Sequence, residues 1–343
     1  MPLPSSRMSS ETESPPAAVG EAESPSVDLG PRAVTYPYRR IERPAPTPPS
    51  GPDPYGNDDP EWLRINWREH LRSVDVRGVR LNYAELGEGP PVVFVHGLGG
   101  CWQNWLENLP AFARGGYRAI ALDLPGFGQS PMPDWEISIP AYGRLVDEFC
   151  KALNLHSTAV VGNSMGGFIA AEVATHAPTW IDHLVLVSSA GITAAELRQQ
   201  PVVAWARTIN AASPLAMRLN LEGIRRPGLR QLAFEGVFRH PQRIRRELLY
   251  EFSAPAIGAP AFVESAVSLA GYDFLDQLEE ITVPTLMIWG RDDRVVPASE
   301  APGFEQRISN SELRIYGDCG HLAMAERPTR FNREVQEFLG RSS

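Results

Sequence analysis

The sequence contains few cysteines, hardly any lysine and no long apolar run. Its three cysteines, Cys101, Cys150 and Cys319, lack the C-x-x-C spacing of thiolate metal sites, which predicts a reduced, cytoplasmic protein without a bound metal. Lys151 is the only lysine, and the net charge of −9 argues against a nucleic-acid partner, since such proteins usually carry a basic stripe. No apolar run is long enough to cross a bilayer, and the N-terminus lacks the pattern of a secretory leader, so we expect no transmembrane segment.

The composition divides the chain into a tail and a folded part. Residues 1–58 are dense in proline, serine and glutamate and poor in large apolar side chains. Such a segment cannot bury enough surface to offset the entropy of ordering, and we predict a disordered tail. Strand-like and helix-like segments alternate over residues 59–192 and 276–343, which we assign to a core. Residues 193–275 are helix-like and rich in arginine, and we interpret them as an inserted helical cap.

The apolar segments of the core predict an α/β protein with a mostly parallel sheet flanked by helices. Alternation of polar and apolar residues predicts a half-buried hairpin with its turn at Gly78. Six continuous apolar segments predict strands buried on both faces, as in parallel sheets covered by helices. The predicted strands are 91–97, 117–124, 159–162, 182–188, 283–290 and 312–316, and helical spacing marks 142–153, 166–176 and 331–339.

The segment from Gly162 to Gly166 reads G-N-S-M-G and matches the pattern G-x-S-x-G. The pattern alone is weak, but here it follows a predicted strand and opens a predicted helix, as a nucleophile elbow requires. Such a turn strains the backbone at the serine, and the two glycines lack the Cβ atoms that would clash there. The helix N-terminus favours negative charge at the serine oxygen. We therefore predict that Ser164 is a nucleophile.

A glycine-rich loop, HGLGG, follows the predicted strand at residues 91–97. Acyl transfer develops negative charge on a carbonyl oxygen, and two backbone N–H groups aimed at that oxygen lower the barrier. We assign these donors to Leu98 and Met165. We expect His96 to be structural and to hold the loop through side-chain hydrogen bonds.

A serine nucleophile of this kind needs a base and an acid later in the chain. His321 follows the last predicted strand and precedes the closing helix, so its loop reaches the carboxyl edge of the sheet, where ligands bind in such folds. Asp292 and Asp293 follow the preceding strand. Asp293, three residues past Gly290, is favoured as the acid that orients the imidazole. The predicted triad is Ser164, His321 and Asp293.

Five motifs, taken together, resemble those of the α/β-hydrolase superfamily and occur in its order. They are HGLGG, DLPGFGQS, GNSMGG, WGRDDRVVP and CGHLAMAERP. The resemblance implies the α/β-hydrolase fold with a helical cap over the serine. It also implies a two-step acyl-enzyme mechanism, which requires no metal or organic cofactor.

Two groups within this superfamily resemble the sequence and imply different substrates. GxSMGG and VSSAGI are similar to monoacylglycerol-lipase-like and carboxylesterase members. GNSMGG, WGRDDR and the W-x-N pattern at Trp102 and Asn104 are similar to the meta-cleavage-product hydrolases, which split carbon–carbon bonds. That second likeness makes Trp102 and Asn104 candidate substrate contacts. The sequence departs from the second group in having HGLGG in place of a longer Ser-Gly-Pro loop, and Leu322 where a tryptophan is usual.

The first functional hypothesis is a serine esterase or lipase that cleaves an ester of an apolar acyl substrate. The alternative is a carbon–carbon bond hydrolase of a dienoate ketone, whose carboxylate groups would bind a cap arginine. The candidate arginines are Arg207, Arg218, Arg225, Arg226 and Arg230. A third hypothesis is a non-enzymatic receptor or scaffold on the same fold, because a fold alone does not determine function.

Overall fold

The computed structural model describes residues 53–176, 179–192, 224, 226–253, 258–270 and 272–341. Most of the predicted tail and the cap residues 193–223 lie outside the described residues. Residues 53–58, which composition assigned to the tail, instead contact the body of the protein. The N–H of Gly56 donates to the carbonyl of Glu326 at 2.7 Å, and Arg327 Nη1 donates to the carbonyl of Asp53 at 3.0 Å.

An eight-stranded sheet forms the centre of the described structure, with strand order β1-β2-β4-β3-β5-β6-β7-β8. Strand β2 is antiparallel to both of its neighbours, and every other pair is parallel. The mostly parallel sheet is therefore confirmed. The strands are β1 Leu71–Val76, β2 Val79–Leu86, β3 Pro91–Val95, β4 Arg118–Leu122, β5 Thr158–Asn163, β6 Ile181–Val187, β7 Thr285–Gly290 and β8 Ser311–Tyr316.

The predicted hairpin turn lies between β1 and β2. Val76 pairs with Val79, so only Arg77 and Gly78 form the loop, and their φ angles are 51° and 76°. Two-residue hairpin loops with positive φ at both positions match the right-handed twist of the flanking strands. A glycine at the second position therefore sets the register of the hairpin.

Helices cover both faces of the sheet. The α-helices are α1 Leu109–Arg114, α2 Ile139–Ala152, α3 Met165–Thr175, α4 Pro227–Phe234, α5 Arg246–Ser253, α6 Phe262–Leu269, α7 Ala301–Glu305, α8 Ala323–Glu326 and α9 Pro328–Leu339. Short 3₁₀ helices are Glu61–Arg64, Trp67–Glu69, Trp102–Trp105, Pro241–Arg243, Leu275–Glu280 and Ala298–Glu300.

The side chains of the central strand β3 are apolar on both faces of the sheet, because each face packs against helices. Val93 and Val95 pack into a core with α2 and α3, whereas Val92 and Phe94 pack into a second core with α1 and α9. Successive side chains of a strand point to opposite faces, so a strand covered on both sides needs an unbroken apolar run. This requirement explains the continuous apolar segments in the sequence.

The described part of the predicted cap is helical. Residues 224–270, where described, contain α4, α5, α6 and a 3₁₀ turn, and no strand. The hydroxyl of Tyr142 on α2 lies 3.0 Å from Ser265 Oγ on α6, which joins core and cap. The full extent of the cap, residues 193–275, stays a prediction.

The topology brings the carboxyl ends of the parallel strands to one edge of the sheet. The loops after β3, β5, β7 and β8 all leave from this edge. The loop after β3 is the glycine-rich loop, and the loops after β5, β7 and β8 contain Ser164, Asp293 and His321 in that order. Ligands bind at this edge in open α/β sheets.

Candidate active site

Ser164 lies in the tight turn between β5 and α3. Its φ of 55° and ψ of −118° are a strained backbone conformation for a residue with a side chain. A Cβ atom on Gly166 would lie 2.2 Å from the carbonyl oxygen of Val95, so only glycine allows α3 to approach β3 so closely. The residues on either side of Ser164 are buried, while Ser164 itself is partly exposed. The strained strand-to-helix turn that the motif predicted is therefore present, and the role of Ser164 as nucleophile stays a prediction.

The glycine-rich loop lies against the nucleophile. A Cβ atom on Gly97 would be 3.1 Å from the Cβ of Ser164. Leu98 follows Gly97, and Met165 begins α3. Within the part of the chain that the structure describes, the N–H groups of Leu98 and Met165 donate no hydrogen bond. Both N–H groups are thus available to a ligand, as an oxyanion hole requires.

Two buried side chains hold this loop in place. His96 Nδ1 donates to the carbonyl of Gly97 at 2.8 Å, and His96 Nε2 accepts the N–H of Leu124 at 3.0 Å. Asp123 Oδ1 accepts the N–H of Trp102 at 2.8 Å. Burial lowers the pKa of His96 to about 4, which matches a neutral ring with one donor and one acceptor nitrogen. The predicted structural role of His96 is confirmed.

The predicted base and acid are hydrogen-bonded to each other. His321 Nδ1 lies 2.8 Å from Asp293 Oδ2. The other carboxylate oxygen, Asp293 Oδ1, accepts the N–H of Val295 at 2.8 Å and that of Val296 at 3.0 Å. The two backbone donors fix the carboxylate. The carboxylate in turn holds the ring proton on Nδ1, which leaves Nε2 as a proton acceptor.

The competing aspartate faces another way. Asp292 Oδ2 lies 3.7 Å from Arg239 Nε, at a partly exposed position. Asp293 is therefore the acid of this pair that reaches the histidine. The elbow and the histidine loop also meet directly, since Asn163 Nδ2 donates to the carbonyl of His321 at 3.5 Å.

The two candidate substrate contacts lie beside the glycine-rich loop. Trp102 is fully buried, with its ring centroid 5.0 Å from that of Trp67, so it is part of the core. Asn104 is 6% exposed. A Cβ atom on Gly100 would lie 2.1 Å from Asn104 Oδ1, which puts this amide against the loop. A direct contact of either residue with substrate stays a prediction.

Glu326, a fully buried carboxylate beyond His321, was not among the predicted site residues. Its Oε1 accepts the N–H of Gly320 at 3.0 Å and that of Leu322 at 3.2 Å, on either side of His321. The available signal was an acidic residue within the apolar stretch that follows the histidine. Buried carboxylates are rare unless they are hydrogen-bonded, so such a position marks a structural anchor.

The described residues contain neither a metal-binding cluster nor a membrane-spanning helix. None of the histidine, cysteine, aspartate and glutamate side chains described forms a group of three or more able to hold a metal ion. Among the helices of the described ranges, none has the length and hydropathy needed to cross a membrane.

The family model for the alpha/beta hydrolase fold matches residues 90–328. The chain therefore belongs to this family. The match spans the sheet from β3 onward and all four loops of the site.

Two curated relatives are similar over most of their length. One is a 2-hydroxy-6-oxo-6-phenylhexa-2,4-dienoate hydrolase of Comamonas testosteroni, 29% identical over 78% of this chain and 94% of the relative. The other is a 2-hydroxy-6-oxo-6-(2'-aminophenyl)hexa-2,4-dienoic acid hydrolase of Metapseudomonas resinovorans, 31% identical over 79% and 91%. Among solved structures, a membrane phospholipase A is 30% identical, with a TM-score of 0.60, over 78% of this chain and 85% of that chain.

The buried His96 predicts a measurable pH dependence of stability. Its pKa is about 4 in the folded protein and 6.5 in its ordinary state, so the unfolded chain binds more protons between these values. The stability that neutral His96 contributes is fully present above pH 6.5 and is lost as the pH falls toward 4. Relative to His96→Gln, we expect the wild type to lose about 3 kcal/mol of unfolding free energy between pH 7 and pH 4, at about 1.4 kcal/mol per pKa unit.

Urea unfolding of both proteins across this pH range measures the difference. The comparison is needed because Glu107, whose pKa burial raises to about 7, acts in the opposite direction and is present in both. The exposed His156→Gln variant is the control and should follow the wild type. Parallel curves for the wild type and His96→Gln would contradict the lowered pKa of His96 in the folded protein.

Proposed function

We propose that the chain is a serine hydrolase in which Ser164 is the nucleophile, His321 the base and Asp293 the residue that orients the base. The observation that carries the proposal is the 2.8 Å hydrogen bond between His321 Nδ1 and Asp293 Oδ2 beside a strained serine turn. The available N–H groups of Leu98 and Met165 support it, because they form the donor pair that acyl transfer requires.

The chemistry follows from these positions. His321 Nε2 takes the proton of Ser164 as its oxygen attacks the substrate carbonyl, and the N–H groups of Leu98 and Met165 bind the resulting oxyanion. The imidazolium is stabilised by Asp293 and gives its proton to the leaving group. Water, activated by the same histidine, then cleaves the acyl-enzyme.

For the substrate, we propose a dienoate ketone of the kind formed by meta-cleavage of aromatic rings. The support is the similarity to two relatives that are named as hydrolases of such compounds and are covered over 91% or more of their length. Hydrolysis breaks the bond between the ketone carbon and the adjacent chain carbon. The acyl part leaves as a carboxylate, and the chain carbon receives a proton, for which His321 is the available donor.

One expected cap contact needs revision under this proposal. Arg230 is 1% exposed, and its guanidinium donates to the carbonyls of Ile224 at 3.0 Å and Ile244 at 3.3 Å. It therefore holds the cap together internally. Arg226 is exposed, and the other three candidate arginines lie outside the described residues, so the residue that binds the substrate carboxylate stays a prediction.

A second candidate is the hydrolysis of an apolar acyl ester. The 30% identity to a membrane phospholipase A over 78% of this chain favours it. The same triad and oxyanion donors serve both reactions, so only the leaving group differs.

A paired substrate assay distinguishes the two candidates. We expect 2-hydroxy-6-oxo-6-phenylhexa-2,4-dienoate to lose its visible colour with a kcat/KM at least about tenfold above that for para-nitrophenyl esters, a difference of about 1.4 kcal/mol in transition-state binding. Ser164→Ala is the control for both. Rapid ester turnover without bleaching of the dienoate would overturn the first candidate in favour of the second.

The two adjacent aspartates provide a matched pair of variants. Asp293→Asn leaves the shape intact but permits the wrong histidine tautomer, so we expect kcat to fall by about 10⁴. Asp292→Asn removes only a half-exposed ion pair with Arg239, and we expect kcat within about twofold of wild type. Steady-state kinetics on the better substrate measures both. Equal losses in the two variants would contradict the assignment.

A further inference from the structure

The carboxylate of Glu326 binds the backbone of the loop that contains His321. Both Glu326 oxygens lie 3.0 Å from the N–H of Gly320, and Oε1 also accepts the N–H of Leu322 at 3.2 Å. His321 itself donates its N–H to the carbonyl of Val237 at 2.9 Å. The carboxylate therefore holds the backbone on both sides of the proposed base.

Tyr55 binds the same carboxylate from the N-terminal segment. Its hydroxyl donates to Glu326 Oε2 and accepts the N–H of His240 at 2.8 Å. The next residue, Gly56, donates its N–H to the Glu326 carbonyl at 2.7 Å. Tyr55 and Glu326 are 271 positions apart in the sequence, so this bond connects the start of the described chain to the histidine loop.

The ring of Tyr55 is held independently of its hydroxyl. The guanidinium of Arg327 lies 4.9 Å from the ring centroid, and that of Arg243 lies 5.9 Å away. The imidazole of His240 meets the ring edge-on at 5.3 Å. Since these contacts do not involve the hydroxyl, a phenylalanine can occupy the same place and remove only the two hydrogen bonds of the hydroxyl, one to Glu326 and one from the N–H of His240.

The charge of Glu326 depends on its donors. Burial raises the pKa of this carboxyl, while the hydrogen bonds from Tyr55 and from the N–H groups of Arg239, Gly320 and Leu322 lower it. A buried carboxylate that loses a donor is costly, so the group gains by turning toward another partner or by binding a proton. Either change weakens the bonds to the loop.

We propose that Tyr55 is a positioning residue, whose hydroxyl fixes the Glu326 carboxylate and thereby the distance between His321 and Ser164. The role rests on the proposed function of His321 as the base. A displacement of about 1 Å at a reacting group can reduce the rate by as much as about 100-fold, so a modest shift of the loop is measurable.

The test compares Tyr55→Phe with Tyr316→Phe in the full chain. The hydroxyl of Tyr316 donates to Glu334 Oε2 at 3.0 Å, and Arg330 lies 4.0 Å from its ring centroid. The control thus also removes a tyrosine–carboxylate hydrogen bond with an arginine over the ring, but it takes no acceptor from a backbone N–H. Its carboxylate is on α9 and is not bonded to the histidine loop.

We expect Tyr55→Phe to lower kcat about tenfold with KM within about twofold of wild type, because the loss affects the proposed base and not the binding of substrate. Tyr316→Phe should leave both constants within about twofold. Both variants should lose unfolding free energy in urea, and Tyr55→Phe should lose more because the N–H of His240 also loses its acceptor. A kcat within twofold of wild type for Tyr55→Phe, or an equal loss in Tyr316→Phe, would overturn the proposal.

Amide hydrogen exchange supplies a readout that does not depend on turnover. The N–H groups of Gly320 and Leu322 should exchange faster in Tyr55→Phe and at the wild-type rate in Tyr316→Phe. Unchanged exchange at these amides overturns the role of Tyr55 even in an active enzyme. Faster exchange in a protein that hydrolyses neither substrate would support the role of Tyr55 in holding the histidine loop. The proposed function alone would then be contradicted.

Discussion

The close approach of α3 to β3 at Gly166 is the constraint on which the site depends. A Cβ atom there would lie 2.2 Å from the carbonyl oxygen of Val95, so the turn at Ser164 exists only because this position is glycine. The same approach brings Gly97, in the glycine-rich loop after β3, against Ser164. The segments that carry the proposed nucleophile and the proposed oxyanion donors are thus held together at this contact.

Buried polar groups around this contact set the remaining distances. His96 and Asp123 bind the glycine-rich loop from one side, and Glu326 with Tyr55 binds the histidine loop from the other. Each of these groups is satisfied by backbone donors or acceptors, which is how a protein can bury polar atoms without large cost. Loops that would otherwise be mobile are held against the sheet edge. Positioning on this scale is what nucleophilic catalysis requires.

Much of the fold and the triad followed from local sequence signals. The apolar runs predicted six of the eight strands, because burial on both faces leaves a continuous pattern, and polar–apolar alternation predicted the two strands of the hairpin; β5 for example spans Thr158–Asn163 where 159–162 was predicted. Asp293 was preferred to Asp292 on spacing, and the structure bonds it to His321. The Tyr55–Glu326 bond was not predictable, since it joins residues 271 positions apart and leaves no local pattern. The cap contacts depend on tertiary packing, and residues 193–223 lie outside the described structure.

The central claim is that Ser164 is an activated nucleophile. Reaction of the wild type and Ser164→Ala with a fluorophosphonate, read by intact mass, tests it most directly, because the probe reacts with serines whose proton is taken by a neighbouring base. We expect one adduct on the wild type and none on the variant. A folded wild type that gains no adduct, or a variant that gains the same adduct, would contradict it.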